Sequence, residues 1–304
     1  MLLLGLTGSI ATGKSTVSAI LTSPPHSLPL IDADLLARQA VEPGTKAYHQ
    51  IITYFGPSTP DLLLRLPPPP PAAKPQDEKH SDDKPAPKGR PLNRAALGRR
   101  VFGDTEAKKR DRAVLNRIIH PAVRRAMFKA LLYCYVRGCW AVVLDVPLLF
   151  ESGWDRLCAS VVVVAVRDPE LQIRRLLERD RAQGGGMTPQ EATERVRSQW
   201  DVRLKAERCL GRNGAGVLPG FLAGKGGEEE ARGLVIWNDG DKAELRREVG
   251  LVMDKVRRKS PRWWSWVCLL VPPVGFAAAS WQLVRNLLDG WAWERRRKME
   301  KAKL

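Results

Sequence analysis

The chain opens on an unbroken apolar run, Met1 to Leu6. Similar short runs recur at Leu28 to Ile31, Trp140 to Leu144, Val161 to Val166 and Leu234 to Asn238. Such runs, β-branched and without polar alternation, read as strands buried on both faces. Between them the spacing of apolar positions becomes helical. Val17, Ala19, Ile20 and Leu21 follow the first run, then Leu35 to Ala40 and Ala47 to Phe55. Asn93 to Met127 carries Leu97, Val101, Phe102, Val114, Leu115, Ile118 and Ile119, with a break expected at His120-Pro121. Ala243 to Lys259 is a last amphipathic helix. About five strands alternating with helices predict an α/β fold with a parallel sheet covered on both faces.

Two stretches depart from this pattern. Residues 57–91 hold 11 of the 23 prolines, including Pro67 to Pro71, and read as an extended or disordered insertion at the surface. Leu62-Leu63-Leu64 at its start reads as a remnant of packed structure. Near the other end, Trp263 to Val284 carries no charge over 22 residues, enough to cross a bilayer. Trp263, Trp264 and Trp266 on one side and Trp281, Trp291 and Trp293 on the other suit membrane interfaces, with Arg257 to Lys259 and Arg295 to Lys298 as basic flanks. Pro272-Pro273, Ser265, Ser280 and Gln282 argue against a simple span, so a kinked hairpin, an interfacial anchor and a packed soluble tail stay open. Residues 260–304 are expected to form a membrane anchor.

Composition adds a net charge of +17. Much of it is local: Lys255 to Lys303 holds 12 Lys/Arg against Asp289, Glu294 and Glu300. The rest sorts into helix faces and no recognition module is visible, so nucleic acid is not an expected partner. Five dispersed cysteines, none in a C-x-x-C, suggest buried thiols in a reducing compartment and make a zinc site a poor reading. Met1 to Leu6 is too short for a signal peptide and leads directly into the chemistry below, so an intracellular protein is expected.

Gly8-Ser9-Ile10-Ala11-Thr12-Gly13-Lys14-Ser15 fits G-x-x-x-x-G-K-[ST] between a buried strand and a helix. Backbone N–H groups of such a loop cradle phosphate, with the helix dipole from Thr16 onward aiding them. Lys14 would reach the β- and γ-phosphates of ATP, and the Ser15 hydroxyl would bind Mg²⁺. The second strand ends in Asp32-Ala33-Asp34. On a continuing strand the two carboxylates would share a face, and one could take a proton from an attacking hydroxyl; Asp34 reads equally as a helix cap. The third strand ends in Asp145, the form of a Walker B metal ligand, followed by Val146-Pro147-Leu148-Leu149-Phe150-Glu151. Asp168-Pro169-Glu170 opens a helix with Arg174, Arg175, Arg179 and Arg181, and Gly184-Gly185-Gly186 hinges it to a helix with Arg195, Arg197 and Arg203. Two basic helices about a glycine hinge read as a lid, residues 170–207, that excludes water from polyphosphate. A lone His120 before proline reads first as a structural hydrogen-bonding residue.

Taken in order, these motifs resemble the dephospho-coenzyme A kinase family. The resemblance rests on Gly5 to Ile10 with the loop, Ile31-Asp32-Ala33-Asp34 with Ala37-Arg38 and Val41 to Gly44, Leu92-Asn93-Arg94 leading to Ile119-His120-Pro121, Val146 to Glu151, and Arg174 to Asp180. It covers residues 1–259 outside the Pro-rich insertion and the Gly-rich stretch at Gly211 to Gly233. It implies a P-loop kinase three-layer fold with a helical acceptor-binding region at 93–139 and a helical lid. It also implies ATP-dependent phosphorylation of the ribose 3′-hydroxyl of dephospho-CoA, the last step of coenzyme A synthesis. Asp34 matches the general base with Asp32 beside it, Lys14 the loop lysine, and Arg175 or Arg174 a lid arginine. Arg38, His120, Pro147 and Leu148 become substrate-side candidates, and Ser15 with Asp145 the Mg²⁺ ligands. Ala11 stands where many members have glycine. Two other readings stay open: a related kinase of another small hydroxyl acceptor, and a membrane-tethered ATP-binding scaffold among coenzyme A-synthesising enzymes. The expected location is a membrane facing the cytoplasm, the mitochondrial outer or endoplasmic reticulum membrane.

Overall fold

The computed structural model describes residues 1–64, 89–198, 201–213, 232–260 and 262–302. The elements in chain order are β1 (Leu2–Gly8), α1 (Lys14–Thr22), β2 (Leu30–Asp32), α2 (Ala33–Ala40), α3 (Lys46–Phe55), α4 (Arg94–Val101), α5 (Glu106–Val136), β3 (Ala141–Asp145), β4 (Ser160–Ala165), α6 (Pro169–Ala182), α7 (Pro189–Arg197), α8 (Val202–Leu210), β5 (Gly233–Trp237), α9 (Lys242–Lys259), α10 (Arg262–Leu270) and α11 (Pro272–Lys301). Two compact units emerge: residues 1–32 with 131–304, and residues 33–130.

The first unit is built on one sheet of five parallel strands in the order β2-β3-β1-β4-β5. All five apolar runs become these strands. On one face Leu2, Leu4 and Leu6, with Val162, Val164 and Ile236, pack against Val17 and Leu21 of α1 and Leu245, Val249, Met253 and Val256 of α9. Each such side chain contributes about 1.5–3 kcal/mol on burial. On the other face α8 presses on β4 and β5. It comes so close that a Cβ on Gly233 would overlap the Cys209 carbonyl oxygen. The lid boundary expected at 207 therefore falls inside a sheet-packing helix. Burial of Lys205, Ala206 and Cys209 makes α8 part of the core, and the basic pair about the glycine hinge is α6 and α7. All five cysteines are free thiols. Burial pushes the Cys158 and Cys209 thiols up to about 12, which keeps them protonated.

The second unit collects Tyr48, Ile51, Phe55, Leu62, Leu92, Leu97 and Val101. The Pro-rich insertion lies for the most part outside the described residues, but its ends are packed. Leu63 and Leu92 form an antiparallel bridge, and Arg90 donates to the Leu63 and Leu64 carbonyls, each at 2.9 Å. The break expected at His120-Pro121 is absent, because α5 runs through Pro121. Pro121 removes one N–H from the Arg117 carbonyl, but both residues are exposed, so water can replace it.

The apolar tail is two helices, not one. Trp263–Leu270 and Pro272–Glu300 meet at a bend of 113°, and among the described residues no single helix is long and apolar enough to cross a membrane. Pro272 and Pro273 start the second helix, where a missing N–H is tolerated.

Candidate active site

The phosphate loop joins β1 to α1, as its sequence predicts. Gly13 precedes α1 with φ 92°, and Ala11 also sits in the left-handed region at φ 60°. The Ala11 backbone thus takes the conformation that its methyl group disfavours. Three loop carbonyls accept side-chain hydrogen bonds. Thr12 Oγ1 donates to Ser9 O at 2.9 Å, Gln172 Nε2 to Ile10 O at 2.6 Å, and Asn238 Nδ2 to Thr12 O at 2.9 Å. Turning carbonyls toward protein donors aims the loop's N–H groups at an anion in the cup.

Acidic groups gather at the carboxyl ends of the strands, where open α/β sheets place ligands. Asp32 and Asp145 are register partners on β2 and β3. Asp145 is buried and forms an ion pair with Lys14. Thr7 Oγ1 and the fully buried Lys205 Nζ both donate to Pro147 O, at 2.9 and 3.1 Å. Lys205 also pairs with Glu151 at 3.2 Å, so the turn after β3 is held from two sides. Leu148 beside it is exposed.

On α6, Arg175 Nη1 donates to Asn238 O at 2.7 Å, and Arg174 is exposed. Arg175 and Gln172, one turn apart, thus tie α6 to the loop after β5 and to the phosphate loop. Gly184 at φ 76° turns the chain between α6 and α7, and Asp180 accepts from Met187 N at 2.8 Å to fasten the turn.

The remaining predicted residues lie in the second unit. Asp34 does not continue the strand, because α2 begins at Ala33 and puts Asp34 in its first turn. Strand alternation therefore does not place Asp32 and Asp34 on a common face. Asp34 and Arg38 are instead one helical turn apart and both exposed. His120 is exposed on α5, where Arg117, Arg124 and Arg125 line a groove of about 700 Å³ with it.

Gln172, Asn238 and Lys205 belong to none of the site motifs, and Thr7 stands inside the Gly5 to Ile10 stretch with no role assigned by it. Only position hinted at them: Asn238 ends a strand, and Gln172 precedes a lid arginine by three. Their partners are backbone carbonyls more than a hundred residues away in three cases, which no local pattern encodes.

A parallel sheet in this order, a phosphate loop after β1 and carboxylates ending β2 and β3 define a P-loop nucleotide-dependent kinase. The dephospho-CoA kinase family model matches residues 2–64 and 80–210. Dephospho-CoA kinase CAB5 of Saccharomyces cerevisiae is 41% identical over 208 residues, 68% of this chain and 73% of that protein. Dephospho-CoA kinase of Geobacillus kaustophilus is 39% identical over 208 residues, 68% of this chain and 85% of that protein. The chain belongs to the dephospho-CoA kinase family. In structure, TT1252 from Thermus thermophilus is similar with a TM-score of 0.55 at 26% identity, over 84% of this chain and 97% of that one. The dephospho-CoA kinase from Campylobacter jejuni, TM-score 0.53 over 84% and 98% of the two chains, is 22% identical and supports the fold alone.

Proposed function

We propose that the protein transfers the γ-phosphoryl group of ATP to the 3′-hydroxyl of dephospho-CoA, giving coenzyme A and ADP. The observation that carries this reading is the Lys14–Asp145 pair beside Asp32 and the braced phosphate loop, in a chain of this family. In this reading Lys14 leaves Asp145 for the β- and γ-phosphates when ATP enters. Asp34 orients the acceptor hydroxyl and accepts its proton as the oxygen attacks phosphorus and the β–γ bridging oxygen leaves with ADP. Arg175 or Arg174 counters the charge that accumulates on the transferred group. Arg38 and the cluster of His120 with Arg117, Arg124 and Arg125 offer cations to an acceptor rich in phosphate.

The oxygen donors fit Mg²⁺, which keeps much of its shell as water and phosphate oxygen rather than an all-protein cage. Among the described residues no group of three or more His, Cys, Asp or Glu forms such a cage. The Ser15 hydroxyl and the Asp145 carboxylate, with Asp32 beside it, would hold the ion. When bound, Mg²⁺ neutralises the β- and γ-phosphate oxygens.

The test is ADP release with dephospho-CoA, with nucleosides and other small alcohols as competing acceptors. Activity confined to another acceptor, or ATP binding with no turnover, would reject the reading. Asp34→Asn is expected to lower kcat by ~10²–10⁴ while the KM for ATP changes less than a few-fold. Full activity in that variant would remove Asp34 from the mechanism.

The apolar tail and its basic flanks support a second proposal, association with an intracellular membrane on its cytoplasmic side. The mitochondrial outer and endoplasmic reticulum membranes are the candidates. Other enzymes of coenzyme A synthesis are the proposed partners there.

A further inference from the structure

We infer that α10 and α11 lie in the plane of an anionic lipid surface, with one side of α11 fastened to the kinase body and the opposite side facing lipid. This rests on the membrane reading above and specifies its geometry.

The fastened side of α11 is buried at its centre and half-buried at its ends, and mostly polar. Gln282, Asn286, Asp289 and Trp293 recur at helical spacing. Asn286, 1% exposed, accepts from Arg212 Nη2 at 2.8 Å and from Arg232. Its Nδ2 donates to Arg156 O at 2.7 Å and Cys158 O at 2.9 Å. Asp289 pairs with Arg232 at 2.6 Å, and Trp293 stacks on Arg208 with 5.1 Å between guanidinium and ring. Surrounding α11 with lipid would strip these arginines of the partners α11 supplies and carry Asn286 and Asp289 into hydrocarbon.

The other side of the same helix is apolar. Trp281, Val284, Leu287 and Trp291 are 42–57% exposed, and at about 3.6 residues per turn they fall opposite Asn286 and Asp289. Phe276, three turns before Leu287 and in line with it, is 78% exposed. From Phe276 to Trp291 the row runs ~22 Å along the helix. On α10, Trp263, Trp266 and Leu270 are also exposed, at 53–76%.

The bend prevents these pieces from joining into one span. It is held at the elbow, where Tyr135 Oη donates to Cys268 O at 2.5 Å and Ser265 Oγ to Trp140 O at 3.2 Å. A Cβ on Gly275 would come within 2.7 Å of that same Cys268 oxygen, so the two helices meet too tightly to rotate freely. A fixed 113° elbow with tryptophans on both arms is suited to the headgroup layer, where amphipathic rings settle.

Charge selects the lipid. Arg258, Arg295, Arg296 and Lys298 are exposed at the ends of the apolar surface, against Glu294 and Glu300, and Arg295 stacks on Trp291 at 5.4 Å. This excess of cations beside exposed tryptophan complements anionic headgroups.

The experiment uses the full chain with phosphatidylcholine vesicles, with and without phosphatidylserine. Co-sedimentation is expected with the phosphatidylserine vesicles, falling as salt rises. The double variant Phe276→Ser/Trp281→Ser, at exposed positions away from the fastened side, is expected to bind at least ~10-fold more weakly while its ADP release in solution is unchanged. Lipids brominated near the headgroup should quench the tail tryptophans, and lipids brominated at the chain ends should not. Absence of vesicle binding would overturn both this geometry and the membrane reading. Binding with strongest quenching at the chain ends would keep the membrane and overturn the in-plane placement. Self-association through the apolar face in place of vesicle binding would also overturn it. Kinase activity is scored separately, so its loss or presence bears on the proposed reaction alone.

Discussion

Gly13→Ala probes how the phosphate loop is braced. A methyl group at Gly13 would overlap Asn238 Nδ2, far inside contact distance. The backbone cannot relieve the clash, since φ is already 92°. A non-glycine residue in the left-handed region costs roughly 1–2 kcal/mol. Moving the Asn238 amide away breaks its bond to Thr12 O and leaves buried polar groups unpaired, at roughly 1–3 kcal/mol. The more restricted unfolded chain of the alanine variant returns ~0.4–1 kcal/mol. The net loss is about 3 kcal/mol, which for a chain of this size lowers Tm by roughly 5–10 °C. Chemical denaturation of a double-mutant cycle isolates the contact. In an Asn238→Ala background the clash and the bond are both gone, so Gly13→Ala should cost only the backbone part, ~1 kcal/mol. A coupling below about 0.5 kcal/mol would refute the proposed bracing, because independent sites add to within that margin.

Other perturbations test neighbouring claims. Ala11→Gly relieves the left-handed alanine and should raise stability by about 0.5 kcal/mol after the entropy of the unfolded glycine is subtracted; a fall in Tm would contradict the strain. Asn286→Ala removes one acceptor from each of Arg212 and Arg232, which keep Asp155 and Asp289, and both donors to the Arg156 and Cys158 carbonyls. It should cost roughly 1–3 kcal/mol by urea denaturation, with Asn286→Asp intermediate because it keeps acceptors but loses both donors; a neutral alanine variant would show that α11 is not fastened there. His26 has its pKa lowered, first by burial and then by Arg257, with Asp254 opposing. The unfolded chain therefore binds more protons as pH drops below about 6.5, and stability should decline toward acid. His26→Gln should flatten that decline below about pH 6.5, and an unchanged slope would assign it to other groups.

The sheet was legible because buried parallel strands are written as continuous apolar runs, and each lies between helical periodicities. The phosphate loop was legible because its glycines and lysine fall within eight consecutive residues. Other features depend on partners distant in sequence. Lys205 looks like any lysine on a basic helix, yet it is fully buried because Pro147 O and Glu151 await it. Pro121 normally signals a helix end, and α5 runs through it at a point where Arg117 and Pro121 are both exposed residues. The tail's lack of charge over Trp263 to Val284 leaves a span, a kinked hairpin, an interfacial anchor and a packed tail open, and it hides that the polar side of α11 begins within that window at Gln282 and binds the body through Asn286. Asp34 shows the limit of strand reasoning, since a helix that starts one residue earlier changes which neighbours a carboxylate shares a face with.

The closed neck formed by Leu63, Leu92 and Arg90 separates the length of the insertion from the stability of the unit that carries it. Its two ends leave and return at one bridged point, so lengthening the chain between them only enlarges a loop already shut. Doubling such a loop costs about 0.6 kcal/mol. The bridge at Leu63 and Leu92 thus insulates the second unit from the length of chain it closes: an affinity tag or a protease site inserted directly after Leu64 should leave Tm unchanged, giving a handle on the enzyme through the middle of its chain.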